Sequence, residues 1–546
     1  MNTTKMNKVI LSAAVLAAIT GTALAGGVNN TITGQFGADA VGTQNTVTGS
    51  SAFTAGYNNN VSGNNAVSYG VSNKATGINS IAGGEYSYAK GRNSVAIGSS
   101  AQALQDNNFA IGSQARANGE DALAFGNGAY SENQATVAVG KSTRAKGLMG
   151  TAVGYGTRAT ADYTTAVGYQ NAVTGQQSSA IGVNNETTGQ FASAVGTNNE
   201  TNGSYAFAAG FKSKAIADNS IAVGNQAESS GDHGLAIGTI ANATATDAVA
   251  VGHSANATGK YSVAIGSGNK AEGEAAVNIG SNNHGAYDHA TIVGAENNIA
   301  YSDHMVDPYG DVVVGTKNTL QNSYFSIAVG NNNNLTNTNN SVAIGNNTSV
   351  SVAESVAIGH EAKAEDVVGT SSINIGDTTY SFAGGTPIGT VSIGDVNKER
   401  TLTNVAAGRI SDTSTDAVNG SQLHAVITEM ESKNQNTLIQ ANHYTDTQVN
   451  KGIAKASALA GLKYLDYNPK DKWSFAASVG HYRNANAVAV GAAYQPNENT
   501  MVHGGITVDG EVAYNLGVSF KTGGQKYINK YELAEQVRQL QSDNIE

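Results

Sequence analysis

Residues that could do chemistry stand at three places in this chain. Residues 154–159 read GYGTRA, a G-x-G-x-x-A string of the kind that cradles a dinucleotide. Residues 360–364 read HEAKA, beginning at His360 and Glu361, the opening of a zinc-protease motif that lacks its second histidine. His233, His253, His284, His289 and His304 supply further imidazoles. The dinucleotide reading needs a helix after the glycines and an acidic residue later on. Gly154 belongs instead to a strict repeat, and the next repeat begins at once. The scattered histidines read as loop or surface residues, and no serine, histidine and acid set recurs in register. The 546 residues include no cysteine, so disulfides, zinc-thiolate sites and thiol nucleophiles are excluded. A formal net charge of −11 without a basic run argues against nucleic acid, whose phosphates draw on clustered Lys and Arg. The expectation is a non-enzyme with no catalytic residues, no cofactor and no metal site.

The repeat has a fixed ruler. Glycine stands at Gly42, Gly56, Gly70, Gly84, Gly98 and every fourteenth position to Gly294, nineteen in all. A looser series lies seven residues on, at Gly49, Gly63, Gly77 and Gly91. The unit is a fourteen-residue coil of two short strands, each ending at a turn. Two residues before the main glycine stands alanine, in fourteen consecutive coils from Ala82 to Ala264. One residue before it come Ile97, Ile111, Val139, Val153, Val167, Ile181 and Val195. Strand side chains alternate, so both faces are apolar and both need a cover. The narrow interior of the coil suits the alanine; the Val and Ile face then calls for another copy of the chain. The residue after the glycine varies freely (Thr43, Tyr57, Glu85, Lys141, Tyr155, His253) and faces solvent. Beyond Gly294 the ruler slips, with Gly315, Gly330, Gly345, Gly359, Gly376 and Gly394 continuing it, and the NNNNLTNTNN stretch from Asn331 reads as a loop.

The first 25 residues form a secretory address: Lys5 and Lys8, an apolar run, and Ala23-Leu24-Ala25. From residue 424 the spacing of Leu423, Ile427 and Met430 is that of a coiled-coil seam, which blurs at Asn434 and Thr437. From Lys472 four segments alternate in face, separated by RNAN, QPNEN and VDGE. Trp473, Phe475, Ala477 and Val479 oppose Ser474, Ala476, Ser478 and Gly480; Val488 and Val490 oppose Ala487, Ala489 and Gly491. The third sets Val502 and Ile506 against His503 and Gly505, and the fourth sets Tyr514, Leu516, Val518 and Phe520 against Asn515, Gly517 and Ser519. Such strands belong to membrane barrels, and four are too few to close one, so several chains must contribute. The small inward faces leave room for helices in the lumen.

Between roll and strands lies ERTLTNVAAGRISDTSTDAVNGSQLHAV. With the NSVAIG coils before it, this passage resembles the trimeric autotransporter adhesins of the YadA-like kind, the matching phrases being TNVAAG at 403–408 and DAVNGSQL at 416–423. The resemblance implies a homotrimer: a left-handed parallel β-roll head, a neck, a short coiled-coil stalk and a twelve-stranded membrane β-barrel with four strands per chain. The corresponding divisions are 1–25 signal peptide, 26–395 head, 396–423 neck, 424–463 stalk and lumen helix, 464–521 anchor strands and 522–546 extension. It further implies a type V secreted adhesin in the bacterial outer membrane, with the head at the cell surface. The implied partners are extracellular matrix, host-cell or bacterial surfaces, outer-membrane lipid and the barrel-insertion machinery. The ligand-binding residues stay unknown; Tyr155 and Tyr169 are candidates only as aromatics that anchor interfaces. The alternative is a non-adhesive surface solenoid, ice-binding or surface-layer-like. That family typically ends at an aromatic residue, a part Phe520 could play, whereas here residues 522–546 follow, with Leu533, Val537 and Leu540 at helical spacing. They are expected to form a short helical bundle or to touch the cell wall.

Overall fold

The computed structural model describes residues 28–301, 309–523 and 530–543; the signal-peptide assignment and His304 lie outside them. The chain divides after Thr401 into two compact units.

The first unit is a β-solenoid of about 23 turns. Each coil pairs in parallel with the next at a fixed offset. Thr151–Tyr155 lies against Thr165–Tyr169 with Ala152 opposite Ala166 and Gly154 opposite Gly168. A second ladder of two-residue strands runs alongside, Arg158–Ala159 against Ala172–Val173. The repeated glycine has two physical causes. Gly154 has φ +124°, where a side chain is strained, and a Cβ there would sit 1.8 Å from the carbonyl oxygen of Gly168 in the next coil. Successive coils thus meet backbone to backbone at these corners.

The alanines fill the interior. Ala152, Ala166, Ala180 and Ala194 are fully buried, and Ala145, Ala159 and Val173 of the second ladder belong to the same core. The inside is thin enough that its two walls compensate. Asn278 replaces the alanine in one coil, and opposite it stands Gly285, whose absent Cβ would come within 2.7 Å of Asn278 Oδ1. Interiors at this packing density resist added volume. Ala180→Leu is therefore expected to destabilise the roll by about 1–3 kcal/mol, read as a lower unfolding temperature of the purified protein; an unchanged melt would remove the interior assignment.

Two expectations change. The Asn331 stretch is not a loop: it forms the strands Ile327–Asn331 and Asn334–Thr336 of an ordinary coil. Its asparagines serve the ladder, because Asn333 is buried and its side chain accepts from the amide of Thr348. Gly376 does not continue the ruler. It lies in the turn of a separate antiparallel hairpin, Ser372–Ile375 with Thr378–Ser381, inserted before Val391–Ser392 rejoins the main ladder. The register of that rejoining strand, Val391 opposite Val356, makes Gly394 the successor of Gly359.

In the second unit a helix runs from Gly420 to Ala460. Asn419 caps it, its side chain accepting from the Gln422 amide while Gln422 reciprocates, a capping box. Gly452 sits within the helix without interrupting it. Four antiparallel strands follow: Trp473–Tyr482, Ala485–Asn497, Thr500–Thr507 and Tyr514–Phe520. The hairpin turns are tighter than the polar separators suggest. RNAN contributes only Arg483–Asn484 as a turn, Arg483 taking φ 50°, and Gln495–Asn497 extends the second strand. A helix over Lys530–Ser542 is the last described element.

Candidate functional site

The enzyme-like strings lie in the coils of the solenoid. Gly154 lies within the strand Thr151–Tyr155, the strand Arg158–Ala159 comes next, and no helix follows. His360 lies exposed 3.5 Å from Glu361. His233 faces Asp247 at 3.6 Å, His284 bonds Glu272 at 2.8 Å and Asn298 at 3.1 Å, and the His289 ring lies 5.4 Å from Tyr309. His253 is exposed. Among the described residues no three His, Asp or Glu are grouped to hold a metal ion.

What remains are surfaces. The first is the stripe one residue before each main glycine. Ile181, Val195, Ile237, Ile265, Ile279, Val293, Val314, Ile344 and Ile358 are each 38–48% exposed. These branched side chains form a continuous apolar ridge along the ladder, far larger than the single scattered hydrophobes a monomer carries. The second is the row after the glycine. Tyr155 and Tyr169 stack at 5.2 Å with an 8° tilt, Lys141 lies 5.8 Å above Tyr155, and Phe211 and Val183 are exposed in the same row. Sequence reasoning missed a third row, nine residues after each main glycine, where the backbone is left-handed. Tyr163 (φ 58°), Phe191 (φ 56°) and Tyr205 (φ 58°) occupy it, and Phe191 stacks on Tyr205 at 4.7 Å. Asparagine and aspartate fill that row earlier on, at Asn65, Asn79, Asn93, Asn107 and Asp121, the residue types that tolerate this conformation. Position relative to the glycine was the available signal.

Inside the corner, three residues after the glycine, lies a second missed feature. Asn171 and Asn185 are buried; Asn185 donates to Asn171 Oδ1 at 3.0 Å and to the Gly196 carbonyl at 2.9 Å. Asn45, Asn59 and Asn73 repeat the pattern. A side-chain amide supplies both donor and acceptor, so each one satisfies groups left open where the backbone turns.

The neck phrases are joined to each other. Gln422 accepts from the Gly408 amide at 3.0 Å and donates to its carbonyl at 2.7 Å. Asn419 Nδ2 donates to the Val405 carbonyl at 3.1 Å. Arg409 grips Asp416 through Nε at 2.7 Å and Nη2 at 3.0 Å, and these bonds hold the Asp416 carboxyl below its ordinary range.

The four-stranded sheet has the two faces expected of it. Trp473, Phe475, Val479, Val488, Val490, Leu516 and Phe520 are exposed. Ala487, Ala489 and Ala493 on the other face are buried, the first two with Ala485, Ala454 and Ala458 in one cluster. The long helix lies on this small-residue face. Asn450 bonds Asn484 at the first hairpin turn, and Lys455 bonds the Glu511 carbonyl near the third connection. The helix therefore enters at the Tyr482–Ala485 end and finishes level with the middle of the first strand, where a Cβ on Gly461 would meet Ser478 Oγ. No described helix is long and apolar enough to cross a membrane, which says nothing of strands.

Comparison with known proteins finds similarity in several parts of the chain. Residues 465–522 match a YadA-like membrane anchor domain, and 401–446 match the coiled stalk of trimeric autotransporter adhesins. YadA head domain repeats match in nine segments, eight between residues 89 and 283 and one at 339–362. The autotransporter adhesin BtaE of Brucella suis is 62% identical over 65 residues, 12% of this chain and 9% of that protein. The adhesin YadA of Yersinia enterocolitica is 37% identical over 78 residues, 14% and 17% of the two chains. The immunoglobulin-binding protein EibA of Escherichia coli is 34% identical over 88 residues, 16% and 21%. These alignments span between 9% and 21% of the relatives' lengths. The solved C-terminal YadA-like domain of a Burkholderia pseudomallei protein is 35% identical over 26% of this chain and 57% of that one, with a TM-score of 0.19.

Proposed function

Because this chain belongs to the trimeric autotransporter adhesins of the YadA-like kind, we propose that it is a bacterial surface adhesin: three copies share one outer-membrane barrel and hold their β-roll heads outside the cell. The observation that carries this reading is the uncovered apolar ridge from Ile181 to Ile358. A thin roll has no second layer of its own to cover it, and two neighbouring copies supply one. The lone four-stranded sheet likewise calls for more than one copy, since the smallest membrane barrels have about eight strands, and the family supplies the count of three. Its small inner face already holds one helix and leaves the remaining lumen to the other two.

Adhesion is the role such an assembly performs. Three identical heads, repeated over a cell, gain avidity from many weak contacts. The row of Tyr155, Tyr169 and Phe211 and the row of Tyr163, Phe191 and Tyr205 are the surfaces offered to matrix, host-cell or bacterial ligands. An ice-binding solenoid would need one residue type in a flat array; here Lys141, Tyr155, Val183 and Thr197 share a row, so that reading is not favoured.

Two measurements test the proposal. Native mass determination of gently extracted protein is expected to give three chains, and a lone folded polypeptide would end the reading. Cells displaying the mature chain are expected to attach to at least one of a panel of matrix proteins and cells, whereas cells displaying a form lacking residues 26–395 are not. Equal attachment by both would dismiss the head as the adhesive part.

A further inference from the structure

The helix Lys530–Ser542 lies outside the segments matched to the family, and its sequence KYELAEQVRQLQS carries a seam. Leu533, Val537 and Leu540 keep a four-three spacing on one face and are 52, 45 and 62% exposed. Ala534 and Gln541 flank the seam on one side and Gln536 on the other, and Lys530, three residues before Leu533, is the one charge of the helix at its edge. At 100° per residue Glu535 falls on the opposite side, and there it meets Lys470 at 3.6 Å. Lys530 meets Asp466 at 3.1 Å. The two ion pairs tie the helix to the segment just before the first anchor strand, on the Phe520 side of the sheet. Leu533 borders the cleft formed there with Tyr464, Met501 and Phe520.

From this geometry we propose that the helix docks on two further copies of itself, forming a short three-stranded coiled coil at the inner end of the barrel. The proposal rests on the threefold reading above. Three copies closing one barrel place three tethered helices around one axis, each with its apolar seam uncovered. A helix of this length is marginal alone and gains its stability from packing. A lipid surface is the poorer occupant, because Lys530 and Arg538 are matched by Glu532 and Glu535, and surface helices favour a basic polar face.

The native absence of cysteine makes the test clean, since a single introduced thiol can pair only with another copy. Val537→Cys and Leu540→Cys are made in the full chain, expressed in the outer membrane, oxidised, and read as linked dimers on denaturing gels without reductant. Both are expected to link about tenfold more than Arg538→Cys, as core positions do over outward ones. Ile427→Cys, in the seam of the long helix, reports the threefold assembly itself. If Ile427→Cys links while Val537→Cys and Leu540→Cys link no more than Arg538→Cys, the helix lies on its own cleft or on lipid and the proposal is overturned. If Ile427→Cys also fails to link, the threefold reading falls first and takes this one with it.

Discussion

A Gly480→Val variant is expected to lose its heads from the cell surface by about tenfold or more, with a matching loss of trimer, because the lumen helix cannot seat. A Cβ at Gly480 would lie 2.1 Å from the Ala454 carbonyl and 2.4 Å from the Ala458 amide. Both atoms are helix backbone, so neither can rotate away. Overfilling a packed interior costs about 1–3 kcal/mol per site, and under the proposed threefold assembly that cost is incurred in every copy. Val479→Leu, one residue away, points outward from a side chain already 71% exposed and is expected to behave as the parent. Head exposure is measured by protease shaving of intact cells and trimer by native electrophoresis of membranes. Parental levels of both in Gly480→Val would mean that the helix does not occupy the lumen face.

The small-residue face of the sheet was legible in the sequence because strands alternate strictly. Ser474, Ala476, Ser478 and Gly480 could only share one side, and a row of small residues needs a bulky neighbour to pack against. The glycine ruler was legible for a related reason: a contact between successive coils recurs at every coil, so its residue requirement recurs too. Ala180 and Ala194 suited the interior by size, a choice between two apolar faces that the count itself left open. What escaped was whatever depends on a contact made once. The hairpin Ser372–Ile375 with Thr378–Ser381 contains a glycine at nearly the right interval, and spacing alone could not separate a coil corner from a hairpin turn. Asn331–Asn334 looked like a loop because polarity is the common sign of one. In this roll an asparagine beside the corner is an interior residue, for its amide replaces hydrogen bonds that the turning backbone gives up.

The aromatic row teaches the converse. Tyr163, Phe191 and Tyr205 take a left-handed backbone conformation that favours glycine, asparagine or aspartate, so local preference predicts other residues there. The coils above and below fix the corner by their ladder bonds and impose that conformation on whatever side chain the position holds. Strain of this kind persists only where the surroundings over-determine the backbone. The ladder therefore sets the shape and leaves the exposed side chains free to vary, which is the property a ligand-facing surface needs.

Raising the pH from 5 to 8.5 is expected to weaken the roll around Asp311 by about 3 kcal/mol relative to an Asp311→Asn variant. Asp311 is 1% exposed and occupies the position four residues before Gly315. Its Oδ1 accepts from the Ser326 amide at 2.8 Å, Oδ2 has no partner, and no cation pairs with it among the described residues. Tyr287 and Tyr301 face this region from the coils before it. Burial pushes the Asp311 carboxyl up to about 7, against an ordinary value of 3.8, the Ser326 bond opposing the rise. The folded chain thus keeps a proton that the unfolded chain releases above about pH 4. Stability from this group is whole below that point, falls as pH rises, and is fully lost above about 7, three pKa units at about 1.4 kcal/mol each. Asparagine fits the position. Asn108 stands at the same place in its own coil, bonding the Ala122 amide at 3.0 Å and the Ala117 carbonyl at 2.8 Å. Thermal unfolding of both proteins across the pH range checks the expectation, since histidines and the other carboxylates are common to the two. Parallel curves would show that Asp311 is ionised and accommodated throughout, while a gap that opens between pH 5 and 8 identifies a single buried carboxyl as the acid-stabilised point of the roll.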